Sequence, residues 1–393
     1  MTTGSAADTV DSQRRMRRML LALCVVGVTH GSLYPWLFAA PASWDTALQQ
    51  MFVERLWWTG RGDAAVNILL FLPVGLFGCL AFDGAWPGWR ARVQRVVLPA
   101  LAWAFVLQGL QLWIPERTAA VSDALWNGVG TVLGMPLARV VRPAVDRLAA
   151  LPFGRHRVAC VLGLLWVVTQ GWPWMPSHSL RHTLVALQPL WRWPAWEVRL
   201  VCEAALGFAA VLVFARGMRR RWLFACGLLV CALAAKLLMR HLQLGPSHVA
   251  GWLLGLALGM AAWRLNARFG AGVVAVLVMA WMVLDGLRPF EWREPAAAFH
   301  WIPLWGSLQA ARVAHTQVLV QALFWSGCLI GATRMLGLPL SRTVAVLTLT
   351  LLAIEIAQCW IPGQRPDITP ALFPLFWWWL WRRWSASPAV LHM

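Results

Sequence analysis

Charged side chains are scarce in this sequence, and acidic ones are the scarcest. Asp and Glu supply only 16 of the 393 residues, and all charged residues together make up 13%, whereas hydrophobic residues make up 60%. A water-soluble domain does not normally combine so little charge with so much apolar surface. The composition therefore excludes an ordinary soluble globular protein. It predicts that most of the chain faces lipid or other helices.

Cysteine motifs and the common catalytic loops are also missing. The eight cysteines fall inside or at the ends of apolar segments, with no Cys-x-x-Cys spacing, which is typical of small buried hydrophobic residues. No nucleophile elbow, P-loop or dinucleotide fingerprint occurs. His178 and His182 have the i, i+4 spacing of metal ligands, but no third ligand stands nearby. We therefore expect no metal site, no cofactor and no catalysis of the kind found in soluble enzymes.

Long apolar runs dominate the rest of the chain. A helix needs about 17–25 apolar residues to cross the hydrocarbon core of a bilayer. Twelve runs approach this length, so the predicted fold class is all-α, a polytopic bundle of about 12 transmembrane helices. The predicted spans are 19–40, 64–82, 96–114, 124–141, 158–175, 198–215, 222–239, 249–265, 271–287, 317–336, 344–361 and 370–384. Pro370 and Pro374 interrupt the last run, so a short, kinked or re-entrant helix is an alternative to a full span there.

The basic residues alternate in density along these spans. With the N-terminus inside, about two thirds of them fall on the inner side, and every inner connection is basic. This pattern predicts that both termini are cytoplasmic, and it explains the net charge of +18 without nucleic acid as a partner. Residues 1–18 and 385–393 are expected to be cytoplasmic tails, the first of them polar and flexible.

The long connections 41–63, 176–197 and 288–316 all fall on the predicted outer side, so we expect recognition to occur at the outer face. A similar join precedes each of them: a polar residue, a glycine, and then a proline among aromatic residues. The joins are His30 to Trp36, Gln170 to Trp174, and Asp285 to Phe290. These joins suggest three units of four helices, at 19–150, 151–269 and 270–384. Chance similarity among many glycines and prolines is the alternative.

Paired glycines add to the repeat. Ser122-Asp123 is followed by Gly130 and Gly134, and Ser247-His248 is followed by Gly255 and Gly259 at identical spacing. Small residues four apart allow two helices to approach closely. We therefore interpret these glycines as packing residues.

Four ionisable residues lie inside predicted spans, in the half nearer the outer side: Glu203, Lys236, Asp285 and Glu355. Such residues are costly in a membrane, so they tend to be paired or functional. We expect charge pairing among Glu203, Lys236 and Asp285. Lys236 has Glu203 or Glu355 as candidate partners, or can extend outward to the interface.

The densest polar cluster runs from Glu355 to Asp367. Glu355 and Gln358 share one helix face, and the turn that follows can fold Arg365 back over them. The first unit has a counterpart cluster, formed by Gln108, Gln111, Arg117, Asp123 and Asn127. Both clusters are candidate ligand-binding sites. The alternative is a polar turn that ends the helix, with Arg365 bonded to its own loop.

These motifs resemble the VanZ-like family of membrane proteins. The resemblance rests on an ordered set of motifs: a helix ending in Glu-x-x-Gln, a turn with Ile-Pro and Arg, and Ser-Asp before a helix with Asn and Gly-x-x-x-Gly. It is clearest over residues 64–135 and 283–380. The middle unit departs from the pattern, with Lys236 in place of the acid and Met239 in place of the glutamine. The first unit has Gln108 at the acid position, and the last has Pro370 and Pro374 at the positions of Asp123 and Asn127.

The resemblance implies a role in the bacterial cell envelope, at the cytoplasmic (inner) membrane, related to teicoplanin-type glycopeptide resistance or to surface polysaccharide. The expected function is non-enzymatic binding of a lipid-linked or wall-linked amphiphile at the outer face. Expected partners are membrane lipids and an undecaprenyl-linked or peptidoglycan-related ligand. There are three alternatives: transport or flipping of such a molecule, a membrane enzyme using Glu355 as acid or base, and a scaffold for an envelope assembly.

Overall fold

The computed structural model describes residues 3–34, 36, 38–54, 61–82, 88–149, 156–175, 180–240, 242–304 and 313–385. This described part is almost entirely helical and contains no β-strand; an isolated bridge joins His300 and Asp367. The chain forms two compact units, Met1–Phe153 and Gly154–Met393. The all-α helical bundle predicted from the apolar runs is confirmed. The division of the second unit into two four-helix units stays a prediction.

The first unit contains four long helical stretches, as its four apolar runs predict. A short helix, α2, lies in the first long connection, and the third stretch combines α4 and α5 through a π-helical turn at Val93–Val97. The helices are α1 (Thr3–Leu33), α2 (Trp44–Gln49), α3 (Arg61–Phe82), α4 (Trp89–Arg92), α5 (Leu98–Gln111) and α6 (Val121–Ala149).

The predicted flexible tail is wrong for most of its length. Helix α1 begins at Thr3, because Ala, Arg and Met in this stretch are good helix formers. Arg17 is 5% exposed, and its guanidinium contacts the Asp146 carboxylate of α6 at 2.6 Å. This ion pair ties the predicted tail to the bundle. The predicted tail at 385–393 lies outside the described residues, except for Ser385 at the end of the last helix.

Glycines bring α3 and α6 into backbone contact. A Cβ atom on Gly75 would overlap the carbonyl oxygen of Thr131, and one on Gly130 or Gly134 would overlap the carbonyl oxygen of Ile68 or Leu72. Because these neighbours are backbone atoms, a side chain cannot be accommodated by a rotamer change. Gly130 and Gly134 are therefore packing residues, as predicted.

The described part of the second unit contains eight long helices and the short helix α8 in a connection. They are α7 (Arg157–Gly171), α8 (Leu180–Arg192), α9 (Val198–Phe214), α10 (Arg221–Leu238), α11 (Pro246–Arg264), α12 (Ala267–Gly286), α13 (Val313–Met335), α14 (Leu340–Ala357) and α15 (Thr369–Ser385). The last predicted span, over 370–384, forms one helix that accommodates Pro374. The Asn266 side chain caps α12 by accepting a hydrogen bond from the Arg268 amide.

Helices α9 and α11 repeat the glycine-mediated contact. A Cβ atom on Gly255 would lie 2.7 Å from the Ala205 carbonyl oxygen, and one on Gly259 would lie 2.6 Å from the Leu212 side chain. Beside this crossing, Trp166 stacks on Phe208 with ring centroids 4.8 Å apart. The equal spacing of the two glycine pairs thus corresponds to equivalent helix crossings in the two units.

Seven helices of the described chain are long and apolar enough to cross a membrane. Arg157–Gly171 is a shorter apolar helix. Four more helices coincide with predicted spans: α1, α6, α11 and α15. They are not among the seven, because they contain more polar, Gly or Pro residues or are shorter. The seven are Asp63–Phe82, Trp89–Gln111, Val198–Gly217, Arg221–Leu238, Ala267–Gly286, Thr316–Met335 and Leu340–Trp360.

The three predicted joins share one backbone turn. Trp36, Trp174 and Phe290 have φ angles of 66°, 58° and 66°, a left-handed conformation that is uncommon for bulky residues. Each amide donates a hydrogen bond to the carbonyl three residues earlier, at 2.7, 2.8 and 3.0 Å. The internal repeat thus extends from sequence to backbone geometry.

Candidate functional site

The end of α5 presents two buried glutamines, Gln108 and Gln111, which we call the first helix-end pair. Gln108 Oε1 accepts a hydrogen bond from the Ala120 amide at 2.9 Å, and Gln111 Nε2 donates to the Ser32 carbonyl at 2.8 Å. The pair therefore fixes the α5–α6 loop and the end of α1. Both side chains satisfy backbone groups that would otherwise be buried without partners.

Arg117 also bonds to the backbone. Its Nε donates to the Tyr34 carbonyl and its Nη2 to the Gly31 carbonyl, both at 2.8 Å. Orphan carbonyls at a helix end are good partners for a guanidinium. Asp123 lies half-buried in the first turn of α6, and Asn127 is 3% exposed, with no hydrogen-bond partner for its Oδ1 among the described residues. The structure thus gathers the predicted first cluster around the α1–α5–α6 ends.

Glu355 and Gln358 form the second helix-end pair, in the second unit, with the same bonding pattern. Glu355 Oε2 accepts a hydrogen bond from the Asp367 amide at 3.0 Å, and Gln358 Nε2 donates to the Gly286 carbonyl at 2.9 Å. Glu355 and Asp367 are separated by 12 residues, as are Gln108 and Ala120. A carboxylate and an amide oxygen therefore fulfil the same acceptor role at equivalent positions.

Arg365 does not fold back over this pair. Its side chain is exposed, whereas Glu355 is 8% exposed, and no hydrogen bond or ion pair of the Arg365 side chain occurs within the described chain. The reason is the path of the loop: the His300 amide donates to the Pro366 carbonyl at 3.1 Å, and the Ile368 amide donates to the His300 carbonyl at 3.0 Å. These bonds hold residues 366–368 against His300 and turn the Asp367 amide toward Glu355.

Asp367, at the end of the predicted polar cluster, is a buried residue that was not among the candidate ligand-binding residues. It is 1% exposed, and its Oδ1 accepts a hydrogen bond from the Thr369 amide at the start of α15. A carboxylate is a preferred cap for such an amide. The signal was present in the sequence, since Asp two residues before Thr-Pro is typical of a helix start.

A polar cavity of about 250 Å³ lies in the second unit, where α7 and α10 end and α9, α11 and α13 begin. Its wall combines charged and amide side chains with a few apolar residues. The polar side chains that we use to define it are Gln170, Arg199, Glu203, Lys236, His248, Gln317 and Gln321. Glu355 and Gln358 do not line this polar cavity.

Lys236 dominates the electrostatics of the polar cavity. The residue is 8% exposed, and within the described chain its ammonium makes no hydrogen bond and no ion pair. Glu203 lines the same cavity and attracts Lys236 electrostatically, but its Oε1 accepts its hydrogen bond from Gln321 Nε2 instead. The predicted ion pair of Lys236 with Glu203 or Glu355 is thus not formed. A buried ammonium of this kind is expensive unless an anionic group approaches it.

The edge of the polar cavity is fixed by a second set of contacts. Asp285 pairs with Arg199 in a bidentate arrangement, with distances of 2.8 and 3.2 Å. Asp285 thus forms an ion pair, but with Arg199, which lies outside the predicted set of Glu203, Lys236 and Asp285. His248 Nδ1 accepts a hydrogen bond from the Gly245 amide at 3.4 Å. Because Asp285 neutralises Arg199, Lys236 and Glu203 remain as the two ions that face the interior of the polar cavity.

Three residues that line the polar cavity were not predicted as site residues from the sequence: Arg199, Gln317 and Gln321. Gln317 and Gln321 are four residues apart, so they share one face of α13, and two amides in an apolar helix were a usable signal. Arg199 lies at the outer end of the predicted span 198–215, where it counted only as one of the basic residues of the outer side. Its partner Asp285 is 86 residues away, a separation that local patterns do not bridge.

Metal ligands do not gather in the described part of the chain. No group of three or more His, Cys, Asp or Glu side chains there could hold a metal ion, and all eight cysteines are free. His178 lies outside the described residues, and His182 Nε2 lies 2.9 Å from the Met239 carbonyl oxygen.

The helical bundle and its long apolar helices define a multi-pass membrane protein. Residues 19–142 match the VanZ/LLP1 family. The resemblance of the first unit is thereby confirmed, and the chain contains a VanZ-like domain at its N-terminal side. The resemblance of residues 283–380 lies beyond the match and stays a prediction. Neither the curated proteins nor the solved structures contain a match to this chain.

Proposed function

We propose that this VanZ-like membrane protein binds the headgroup of a lipid-linked or wall-linked amphiphile in the polar cavity, without transforming it chemically. The observation that carries the proposal is Lys236, a buried ammonium without a bonded partner among the described residues. A phosphate or carboxylate of the ligand would supply a bonded counter-charge, which Glu203 does not provide because it bonds to Gln321.

The remaining groups of the polar cavity suit the rest of such a headgroup. Glu203 accepts hydrogen bonds, and the amides of Gln170, Gln317 and Gln321 both donate and accept. Sugar hydroxyls or peptide amides beside the anionic group would match these side chains. Glu203 also disfavours a ligand that carries several negative charges, so the proposal is for one anionic group next to neutral polar groups.

The size of the polar cavity supports binding of a headgroup only. About 250 Å³ is below the roughly 300–1,000 Å³ that encloses a drug-sized ligand. The apolar part of the amphiphile would therefore remain in the bilayer. An undecaprenyl-linked saccharide or a peptidoglycan precursor has this division into a long apolar tail and a compact polar head.

We infer the location from the distribution of arginine. With both termini in the cytoplasm, the ends of α7 and α10 face outward, so the polar cavity opens to the outer half of a bacterial cytoplasmic membrane. An envelope role related to glycopeptide resistance or surface polysaccharide agrees with that placement. The proposed ligand roles of the two helix-end pairs receive less support, because their side chains bond to backbone.

Native mass spectrometry of the protein released from mild detergent tests the proposal. The wild type is compared with Lys236→Met, which removes the charge at similar volume, and with Lys236→Arg, which keeps it. We expect a discrete mass of a polyprenyl phosphate or wall precursor on the wild type and Lys236→Arg, and its loss from Lys236→Met.

The Glu355→Ala, Arg365→Ala double variant serves as the second comparison. Retention of the same mass by this variant would assign binding to the polar cavity. Loss of that mass from this variant alone would assign binding to the second helix-end pair. Identical spectra of bulk phospholipid from all four proteins, each eluting as a monodisperse species, would refute headgroup binding.

A further inference from the structure

A second cavity lies in the first unit, at the opposite end of α6 from the first helix-end pair. It encloses about 240 Å³ between the end of α3, α4 and the second half of α6. Three arginines form its polar wall, Arg92, Arg139 and Arg142, and its apolar wall includes Phe82, Val96 and Met135. We call it the arginine pocket. Its composition differs from that of the polar cavity, because no acidic side chain among the described residues lines it.

Among the described residues, positive charge exceeds negative charge at the arginine pocket. Asp146 contacts Arg17 at 2.6 Å and Arg142 at 3.7 Å, so one carboxylate is shared by two guanidiniums. The guanidiniums of Arg92 and Arg139 make no hydrogen bond or ion pair within the part of the chain that the structure describes. Two cations that line one pocket without an acid among the described residues repel each other, and an anion between them would remove that cost.

The pocket also has an apolar side that a free anion would not use. Phe82 is 37% exposed beside the buried Val96 and Met135, which places apolar surface next to the guanidiniums. A planar guanidinium binds a phosphate through two parallel hydrogen bonds. Phosphate and apolar surface together match a phospholipid at the level where its headgroup meets its acyl chains.

We propose that the arginine pocket binds the phosphate of an anionic phospholipid, with Arg92 and Arg139 as its ligands and Phe82 against the start of an acyl chain. This site is separate from the polar cavity, and it does not depend on the function proposed for Lys236. It would anchor the first unit to one leaflet, whereas the polar cavity recognises an envelope amphiphile.

The test uses delipidated full-length protein titrated with phosphatidylglycerol or phosphatidylcholine and followed by native mass spectrometry. We expect wild type to retain phosphatidylglycerol in preference to phosphatidylcholine. The double variant Arg92→Gln, Arg139→Gln should bind phosphatidylglycerol about thirtyfold more weakly, since each arginine contact with a headgroup contributes a factor of about five. The single variant Phe82→Ala should weaken binding of the lipid but not binding of inorganic phosphate.

The matched control is Arg15→Gln, Arg90→Gln, which removes two exposed arginines of the same unit that do not line the pocket. Equal loss of phosphatidylglycerol from both double variants would overturn the proposal, because binding would then follow total charge. Displacement of the lipid by inorganic phosphate at equal concentration would also overturn it, since a free anion would then be the ligand. Monodisperse elution of each variant shows that the comparison is between folded proteins.

Discussion

The first helix-end pair and the corresponding positions of α10 use the same place in the repeat for different purposes. In the first unit Gln108 and Gln111 bond to the backbone and fix a loop. In the second unit Lys236 and Met239 stand at the matching positions, and Lys236 faces a polar cavity without a bonded partner in the described chain. The difference indicates that the repeated polar residues stabilise the helix ends, whereas the position that breaks the pattern carries a buried ammonium without a bonded partner in the described chain.

The largest effect is expected from the glycines that make this scaffold possible. Gly134→Ala would place a methyl group on the Leu72 carbonyl of α3, and backbone atoms cannot give way. We expect a loss of about 3 kcal/mol or more in the free energy of unfolding, measured by denaturant titration in micelles. Gly109→Ala in α5 is the control, because nothing lies within 4 Å of its Cβ position. Equal stability of the two variants would contradict the α3–α6 contact.

The acceptor role of Glu355 gives the next largest effect. Glu355→Leu leaves the buried Asp367 amide without an acceptor, which costs about 1–3 kcal/mol. Glu355→Gln keeps an acceptor, as Gln108 does in the first unit, and should change stability by less than about 1 kcal/mol. The measurement is the thermal unfolding midpoint of each variant, compared with that of the wild type in the same detergent. If Glu355→Gln is as unstable as Glu355→Leu, the equivalence of the two helix-end pairs fails.

Lys236→Met should stabilise the protein, by contrast with both previous changes. It removes a buried ammonium while keeping a similar volume, for an expected gain of about 1–2 kcal/mol in ligand-free protein. The measurement is the unfolding midpoint of delipidated protein, with Gln321→Met as a control that removes a bonded amide of the same cavity. A destabilised Lys236→Met would mean that the ammonium already has a structural partner.

The two glutamines that act as donors in the helix-end pairs, Gln111 and Gln358, should have equal, smaller effects. Gln111→Leu removes the donor to the Ser32 carbonyl, and Gln358→Leu removes the donor to the Gly286 carbonyl. Each should cost about 1 kcal/mol. Met239→Gln is the reciprocal change at the matching position of α10. A loss in one unit only would show that the repeat is equivalent in geometry but not in energy.

The smallest effect is expected at the edge of the polar cavity. Asp285→Asn breaks the ion pair with Arg199, whose side chain is 49% exposed. Exposed pairs contribute about 0–1 kcal/mol, so stability should change little, and the change should shrink further at high salt. Headgroup retention is the second readout, because an unneutralised Arg199 would strengthen binding of an anionic ligand. Weaker retention would place Asp285 in direct contact with the ligand.

Much of the fold could be predicted because its signals are local. The twelve apolar runs correspond to helices, and the spacing of Gly130 with Gly134 and of Gly255 with Gly259 predicted close helix contacts that the structure shows. The flexible N-terminal tail was the main error. Polar composition suggested disorder there, whereas helix propensity and the bond between Arg17 and Asp146 extend α1 to Thr3.

The sequence by itself determined that this protein spans a membrane, that it is helical and that its helix ends repeat, since hydropathy and spacing act over a few turns of chain. Only the tertiary structure decided the partners of the polar side chains. Glu203 bonds to Gln321 across 118 residues, and Lys236 lines the polar cavity without a bonded partner among the described residues. A membrane-embedded ion will bond to whichever group packing brings within reach, and packing joins segments that no local pattern connects.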